Sequence, residues 1–374
     1  MHLISNKKVL KKTSIQILFV PLSYRIRIST SCCNISINKY NQKFCKMSIK
    51  HHYLPQFYLK GFVNKGEKLH YCRKEYETYR DSSTAGIYYE NNLNNIDLGE
   101  YGQIDLEKDF FFEKDNRYAL AFSDMRNKYG YDINAMPLQT KADIVEFVLG
   151  LYWRVPNGYS HVKELIDNDG LLTGDIHLYN SKTNKYCKDE DIPDIVLDIK
   201  SKLENQKAFM PLFYDENVRK HDWQNLNDKF YIWETSKPMI IGDIPYIPIK
   251  SECKRGKILE EFIIPLDRNH LLVYALNKPT FFEENLYHII NLSIIDGASE
   301  KISCNDIDFL KKEMQFAKNR IERLKDMGFK NVARYLASFL HFQSDFKTYE
   351  DFVKWHTEGR FTETSTDYFS SRGL

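Results

Sequence analysis

The sequence predicts an α+β fold, mainly helical, with one small antiparallel sheet and a C-terminal helical hairpin. Apolar residues recur at threes and fours over 103–129, 140–155 and 305–340, the period of a helix with a buried face. Four short runs rich in Ile, Phe, Tyr or Val crowd into 230–276, each bounded by Pro, Gly or Asp, the mark of strands joined by short links. With 374 residues, 43% hydrophobic and 14% aromatic, the chain holds enough apolar material for a large core. The 25 Tyr imply a core threaded with polar contacts, because a buried phenol needs a partner for its hydroxyl.

The first 46 residues read differently from the rest. They carry nine Lys or Arg and no Asp or Glu. Their apolar run, Ile15 to Leu22, is interrupted by Pro21 and falls short of the ~20 residues that span a bilayer. We expect 1–46 to be a basic leader, disordered or spurious, with Met47 as the start; a targeting peptide is the other reading. A single α+β domain is expected over 47–304, and a helical hairpin with a loose tail, packed on the body, over 305–374. The whole chain has 53 basic and 51 acidic residues; without the leader 44 face 51, a net charge of −7. Such a body lacks the overall basic field of a general nucleic-acid binder, although a local basic groove stays compatible with it. Cys72, Cys187, Cys253 and Cys304 are widely spaced, which suits buried free thiols in a cytoplasmic protein and neither a zinc site nor a disulfide framework.

Along the body, 51–63 leads into a short helix near Gly61. A strand at 68–73 is expected to pair with 84–89, and 90–102 reads as a loop. Helices follow over 103–129 and from a capping box at Thr140-x-x-Asp143 to Pro156. Residues 157–190 read as a surface loop or hairpin, and 191–208 as a helix. The runs 230–233, 239–242, 262–266 and 271–276 are expected in one sheet. Near the end, Asn305 is placed to cap a helix whose Ile307, Leu310, Met314, Ala317, Ile321 and Leu324 form an a/d seam. A second helix begins at Val332, and the pair offers a surface for a protein partner over 305–342.

The most distinctive stretch is His51-His52-Tyr53-Leu54-Pro55-Gln56-Phe57-Tyr58-Leu59-Lys60-Gly61-Phe62. On residue chemistry His52 is a candidate general base and Gln56 a candidate substrate contact, while the aromatic and aliphatic positions read as core. The stretch resembles the amino-terminal signature of the domain-of-unknown-function 4238 family, close to H-Y-V-P-Q-F-Y-L-R-N-F. Three further stretches and one shorter step resemble that family's patterns in the same order. Arg154-Val155-Pro156 is similar to its R-T-P, and Ile240-Ile241-Gly242-Asp243-Ile244-Pro245, following Trp233, to its strand ending in S-D-N-P. Phe262 to Asp267 is similar to its P-L-S/T step, and Ile290-Asn291 to an Ile-Asn step before its closing helix. The resemblance covers roughly 47–305. Gly242 and Ile244 stand where the family carries Ser and Asn. The resemblance implies a fold and no reaction.

Two functions follow as expectations. One is a nuclease-like hydrolase effector in microbial conflict or phage defence, acting on a phosphate-containing substrate. Its catalytic residues would be His52, Asp243 and Gln56, converging on one cleft, with Arg154 and Asn291 binding substrate; Arg154 serves equally to neutralise a helix end by pairing with a carboxylate. The other is a non-catalytic binding or regulatory module, favoured by the acidic net charge. Neither identifies a cofactor; an anionic or nucleic-acid ligand in a local groove is the expected kind of partner, without metal or membrane. Known nuclease templates fit poorly. His52, Asn64 and His70 have the types of an HNH site without its helix, and Asp243 with Glu252-x-Lys254 has the spacing of a D…E-x-K site without a buried strand. Glu107 and Glu113, six apart, do not share a helix face.

Overall fold

A computed structural model describes residues 50–97, 103–169, 179–180, 185–186, 203–252, 258–276, 284–326, 329–342 and 346–357. The expected leader 1–46, the stretch 191–202, Cys187, Cys253 and the tail beyond 357 lie outside these residues. The α+β class holds. In place of one small sheet, the described residues contain two four-stranded antiparallel sheets and three two-stranded ribbons.

The first sheet explains the apolar runs. Strands β9 (Phe230–Glu234), β11 (Ile247–Glu252), β12 (Ile258–Pro265) and β13 (His270–Tyr274) lie in the order β11-β12-β13-β9. Side chains alternate across a strand, and here both faces are covered. Phe262, Ile264, Leu272 and Tyr274 enter one core, while Ile263, Leu271 and Val273 enter another. Two-sided burial is why these strands read as continuous hydrophobic runs.

The second sheet joins distant parts of the chain. It runs β10-β14-β2-β3, from Ile241–Gly242, Lys301–Cys304, Leu69–Arg73 and Tyr76–Ser82. The run 239–242 therefore belongs here and not with its sequence neighbours. β2 pairs with 76–82, correcting the expected pairing with 84–89. Short ribbons β1 (Lys50–His52) with β4 (Tyr89–Asn91), and β5 (Asn95–Asp97) with β6 (Gln103–Asp105), occupy much of the expected loop.

The first core is filled by helices. α1 (Gln56–Leu59) is short. α2 (Phe112–Ser123) is extended at both ends by π turns, Glu107–Phe111 and Asp124–Lys128. α3 (Leu138–Arg154) has 13 of its 17 residues buried, so it has almost no polar face. It starts after Pro137 without a side-chain cap; Asp143 instead accepts a hydrogen bond from Gln139 (2.9 Å) and pairs with Arg117 (3.3 Å). α4 (Gly158–Asp169) replaces part of the expected loop. α5 (Met210–Lys220) and α6 (Leu226–Lys229) complete this side.

The second core is made by α7 (Glu284–Gly297), α8 (Ile307–Asp326), α9 (Val332–Phe342) and α10 (Tyr349–Thr357). Leu310, Ala317 and Leu324 of the α8 seam are buried, and Asp306, rather than Asn305, caps the helix by accepting from Asp308 and Phe309 N–H (both 2.9 Å). α8 and α9 each pack chiefly on α7 and only lightly on one another. Cys72 and Cys304 are free and buried, and burial pushes their thiols up to about 11 and about 12, so both are held as inert thiols. Among the described residues no helix is long and apolar enough to cross a membrane.

His221, just beyond α5, gives this packing a pH signature. Its Nε2 lies 2.9 Å from the Tyr274 hydroxyl, and burial, helped by nearby Lys229, lowers its pKa from 6.5 to about 4. Between those values the unfolded chain takes up a proton that the folded chain refuses. Stability therefore falls as pH drops from about 6.5 to about 4, by at most ~3 kcal/mol from this group. Urea denaturation across that range should give a visibly flatter profile for His221→Gln; identical slopes would show that His221 titrates normally.

Candidate functional site

The signature stretch is a packing element. Tyr53, Leu54, Tyr58, Leu59 and Phe62 are all buried. The Tyr58 ring meets Phe62, Phe122 and Phe147, and its hydroxyl donates to the Pro265 carbonyl (2.7 Å). Arg126 bridges the same two segments, donating to the carbonyls of Phe57 (3.1 Å) and Leu266 (2.9 Å). The contact is so close that a Cβ on Gly61 would sit 2.5 Å from the Arg126 guanidinium and 2.8 Å from Asp267 Cβ, which accounts for glycine there. Two of the stretches quoted above, 51–62 and 262–267, thus meet in the fold.

Behind this stretch runs a polar chain. His51 Nδ1 accepts from the Asn94 backbone N–H (2.7 Å), and Asn94 Nδ2 donates to Glu107 Oε1 (2.8 Å). Arg154, at the end of α3, donates through Nη2 to both Glu107 oxygens (3.0 and 2.8 Å) and through Nη1 to both Asp115 oxygens (2.8 Å each), with its guanidinium 4.3 Å from the Phe111 ring centre. The Arg154 side chain is 4% exposed. Burial opposes its charge, but the two carboxylates overcome this and raise its pKa. Burial likewise raises Asp115, against the pull of Arg154. Both terminal nitrogens are engaged, so the arrangement is the helix-end ion pair and not an open anion clamp.

His52 lies beside this chain. It is half-buried, its pKa lowered by burial, with the Ala85 backbone and Glu107 pulling upward and Arg154 adding to the drop. It is therefore neutral near pH 7. Its Nε2 is buried and has no hydrogen-bond partner among the described residues.

The other expected site residues are elsewhere. Asp243 is 1% exposed, and its carboxylate accepts from the backbone N–H groups of Ser299 (2.7 Å), Glu300 (2.6 Å) and Lys301 (2.9 Å), pinning the turn that feeds β14. Tyr53, in the bend after His52, feels the charge of Asp243, while His52 feels those of Arg154 and Glu107. Gln56 is exposed at the start of α1. Asn291 is wholly buried on α7, and its Oδ1 accepts from Ile240 N–H (3.0 Å), fastening the segment before β10. His70 is held by Asp81 (2.6 Å) and Asn64 (3.1 Å), away from His52's network.

A cleft of about 470 Å³ opens where α3–α4, the segment between β10 and β11, α7 and the α8–α9 junction meet. Tyr152, His161 and Tyr246 form an aromatic wall, with the His161 ring parallel to Tyr152 at 4.5 Å and 2°. Asn157 adds a carboxamide whose buried oxygen has no partner among the described residues. Lys325, Lys330 and Arg334 line the same cleft, and none of them makes an ion pair among the described residues. The one carboxylate in the lining, Asp296, already accepts from the Val332 N–H (3.1 Å). Sequence reasoning missed this cleft. Its one signal was a pair of cations, Lys330 and Arg334, flanking the start of α9, where the helix dipole disfavours positive charge.

The Arg154 pairing yields a stability prediction. Arg154→Met leaves two carboxylates in a buried setting without their cation, a change that costs about 3–5 kcal/mol. Arg154→Lys should recover only part, since a single ammonium cannot fork to both acids. Chemical denaturation of the three proteins checks the order; equal stability of Arg154→Met and the parent would mean that the ion pairs contribute nothing.

Comparison with known proteins agrees with the motif geometry. No curated protein and no solved structure matches the chain. The family model described as "Protein of unknown function (DUF4238)" matches residues 50–340, spanning both sheets and the helices through most of α9. The chain therefore belongs to the DUF4238 family.

Proposed function

We propose that the protein is a non-catalytic binding module for an anionic, phosphate-bearing ligand, held in the cleft between the body and the α8–α9 junction. The observation that carries this reading is the charge of that cleft. Three unpaired cations face one carboxylate that is already committed, on a body whose net charge is acidic. Unpaired like charges at a concave site repel one another and are relieved by an anion. A volume near 470 Å³ falls within the range of small-molecule sites. The test is thermal unfolding of the full chain with inorganic pyrophosphate. The midpoint should rise with concentration, corresponding to ~2.7 kcal/mol at a hundred times Kd. Lys330→Glu with Arg334→Glu should abolish the rise. Absence of any shift in the parent, or an equal shift in the double variant, would overturn the reading.

A second reading, a nuclease-like hydrolase acting on a phosphate-containing substrate in microbial conflict, has one observation in its favour. His52 is a neutral imidazole with an unpartnered Nε2 beside the Glu107–Arg154 pair, the state that a general base needs. Expression of the chain should then arrest growth of the host, and His52→Ala should relieve it at equal protein level. Growth arrest that persists in His52→Ala, or none in the parent, would count against hydrolysis through His52.

A further inference from the structure

The two walls of the cleft differ in kind, and the difference narrows the ligand. On the α8–α9 side the side chains are long cations: Lys325 and Lys330 exposed, Arg334 half-buried. On the side of α3, α4 and the segment between β10 and β11 they are rings. Tyr152 and Tyr246 are each 5% exposed, so packing holds them fixed. His161 is less buried, lines the cleft and lies flat on Tyr152. A free inorganic anion would use only the first wall. A bare aromatic molecule would use only the second and leave the cations unrelieved. A ligand that satisfies both has a planar ring at one end and phosphate at the other.

We infer that the cleft binds a nucleotide, with its base extending the Tyr152–His161 stack and its phosphates against Lys325, Lys330 and Arg334. This inference rests on the reading of the cleft as a phosphate-ligand site. Stacking on aromatic rings accepts any base, because every base has a π face. Selection among bases falls to Asn157, whose carboxamide can both donate to and accept from a base edge.

Calorimetric titration of the full chain compares inorganic pyrophosphate, the diphosphates of adenosine and guanosine, and free adenosine. Each nucleoside diphosphate carries the same two phosphates as pyrophosphate, so the base is the variable. We expect at least one of them to bind about ten-fold more tightly than pyrophosphate, with adenosine alone weakest. His161→Ala should bring the nucleotide down to the pyrophosphate level while leaving pyrophosphate binding unchanged, and His161→Phe, which keeps a ring, should restore most of the difference. Pyrophosphate binding with no gain from the base, or a gain that survives His161→Ala, overturns the nucleotide inference and leaves the phosphate reading standing. No binding of pyrophosphate or of either nucleotide removes both.

Discussion

The constraint on which the rest of this structure depends is that the β11-β12-β13-β9 sheet is apolar on both faces at its centre. Phe262, Ile264, Leu272 and Tyr274 on one side and Ile263, Leu271 and Val273 on the other are buried, so each face demands its own cover. α1, α2 and α3 belong to the core on one side, α7 and α9 pack on the other, and α8 lies on β14 and β2 of the second sheet. The molecule consequently has two cores sharing one wall. α7 and α8, on either side of residue 304, enter the same core.

Covering a sheet on both faces forces segments far apart in sequence to meet, and the meetings are fastened by polar groups of the chain's own motifs. Asp243 spends its carboxylate on three amides and Asn291 its carbonyl on one, while Arg126, from outside those motifs, spends its guanidinium on three carbonyls. Hydrogen bonds to charged groups are worth roughly 1.5–3 kcal/mol each, and leaving such a group buried without its partner costs more. These positions resemble a functional constellation when read in one dimension, because stiff placement and polar chemistry are what a catalytic site also requires. In three dimensions they are the pins between layers.

What was legible in the sequence was local. The α8 seam and the buried character of α3 follow from periodicity, and β9, β12 and β13, three of the four strands of the first sheet, from short apolar runs, since such patterns describe one element and its nearest cover. The second sheet was not legible. β10 has two residues and β14 four, and their partner β2 lies near the amino end, so no pattern within any window encodes the pairing. The surroundings of His52 and Tyr53 were also hidden. His52 ends β1 and Tyr53 stands in the bend after it, and the two feel different charges, Arg154 and Glu107 for the first and Asp243 for the second. The cleft was less legible still, because its walls come from separate elements and its cations look like ordinary surface residues until the fold brings them to one cleft with aromatic rings.

The span of these pins bears on how the chain is made. Tyr58 waits for Pro265, 207 residues later; Tyr88 waits for Ser303, 215 later; Lys74 for Ala298, 224 later. Such separations raise the contact order, and loop-closure entropy must be met before the contacts reward it. A ribosome-bound chain has therefore synthesised its amino-terminal aromatics long before their acceptors exist. During that interval Tyr53, Tyr58 and Phe62 are apolar surface without cover, the kind of surface on which chaperones act and aggregation begins. The same signature that closes the finished molecule is thus, for most of its synthesis, the segment most in need of protection.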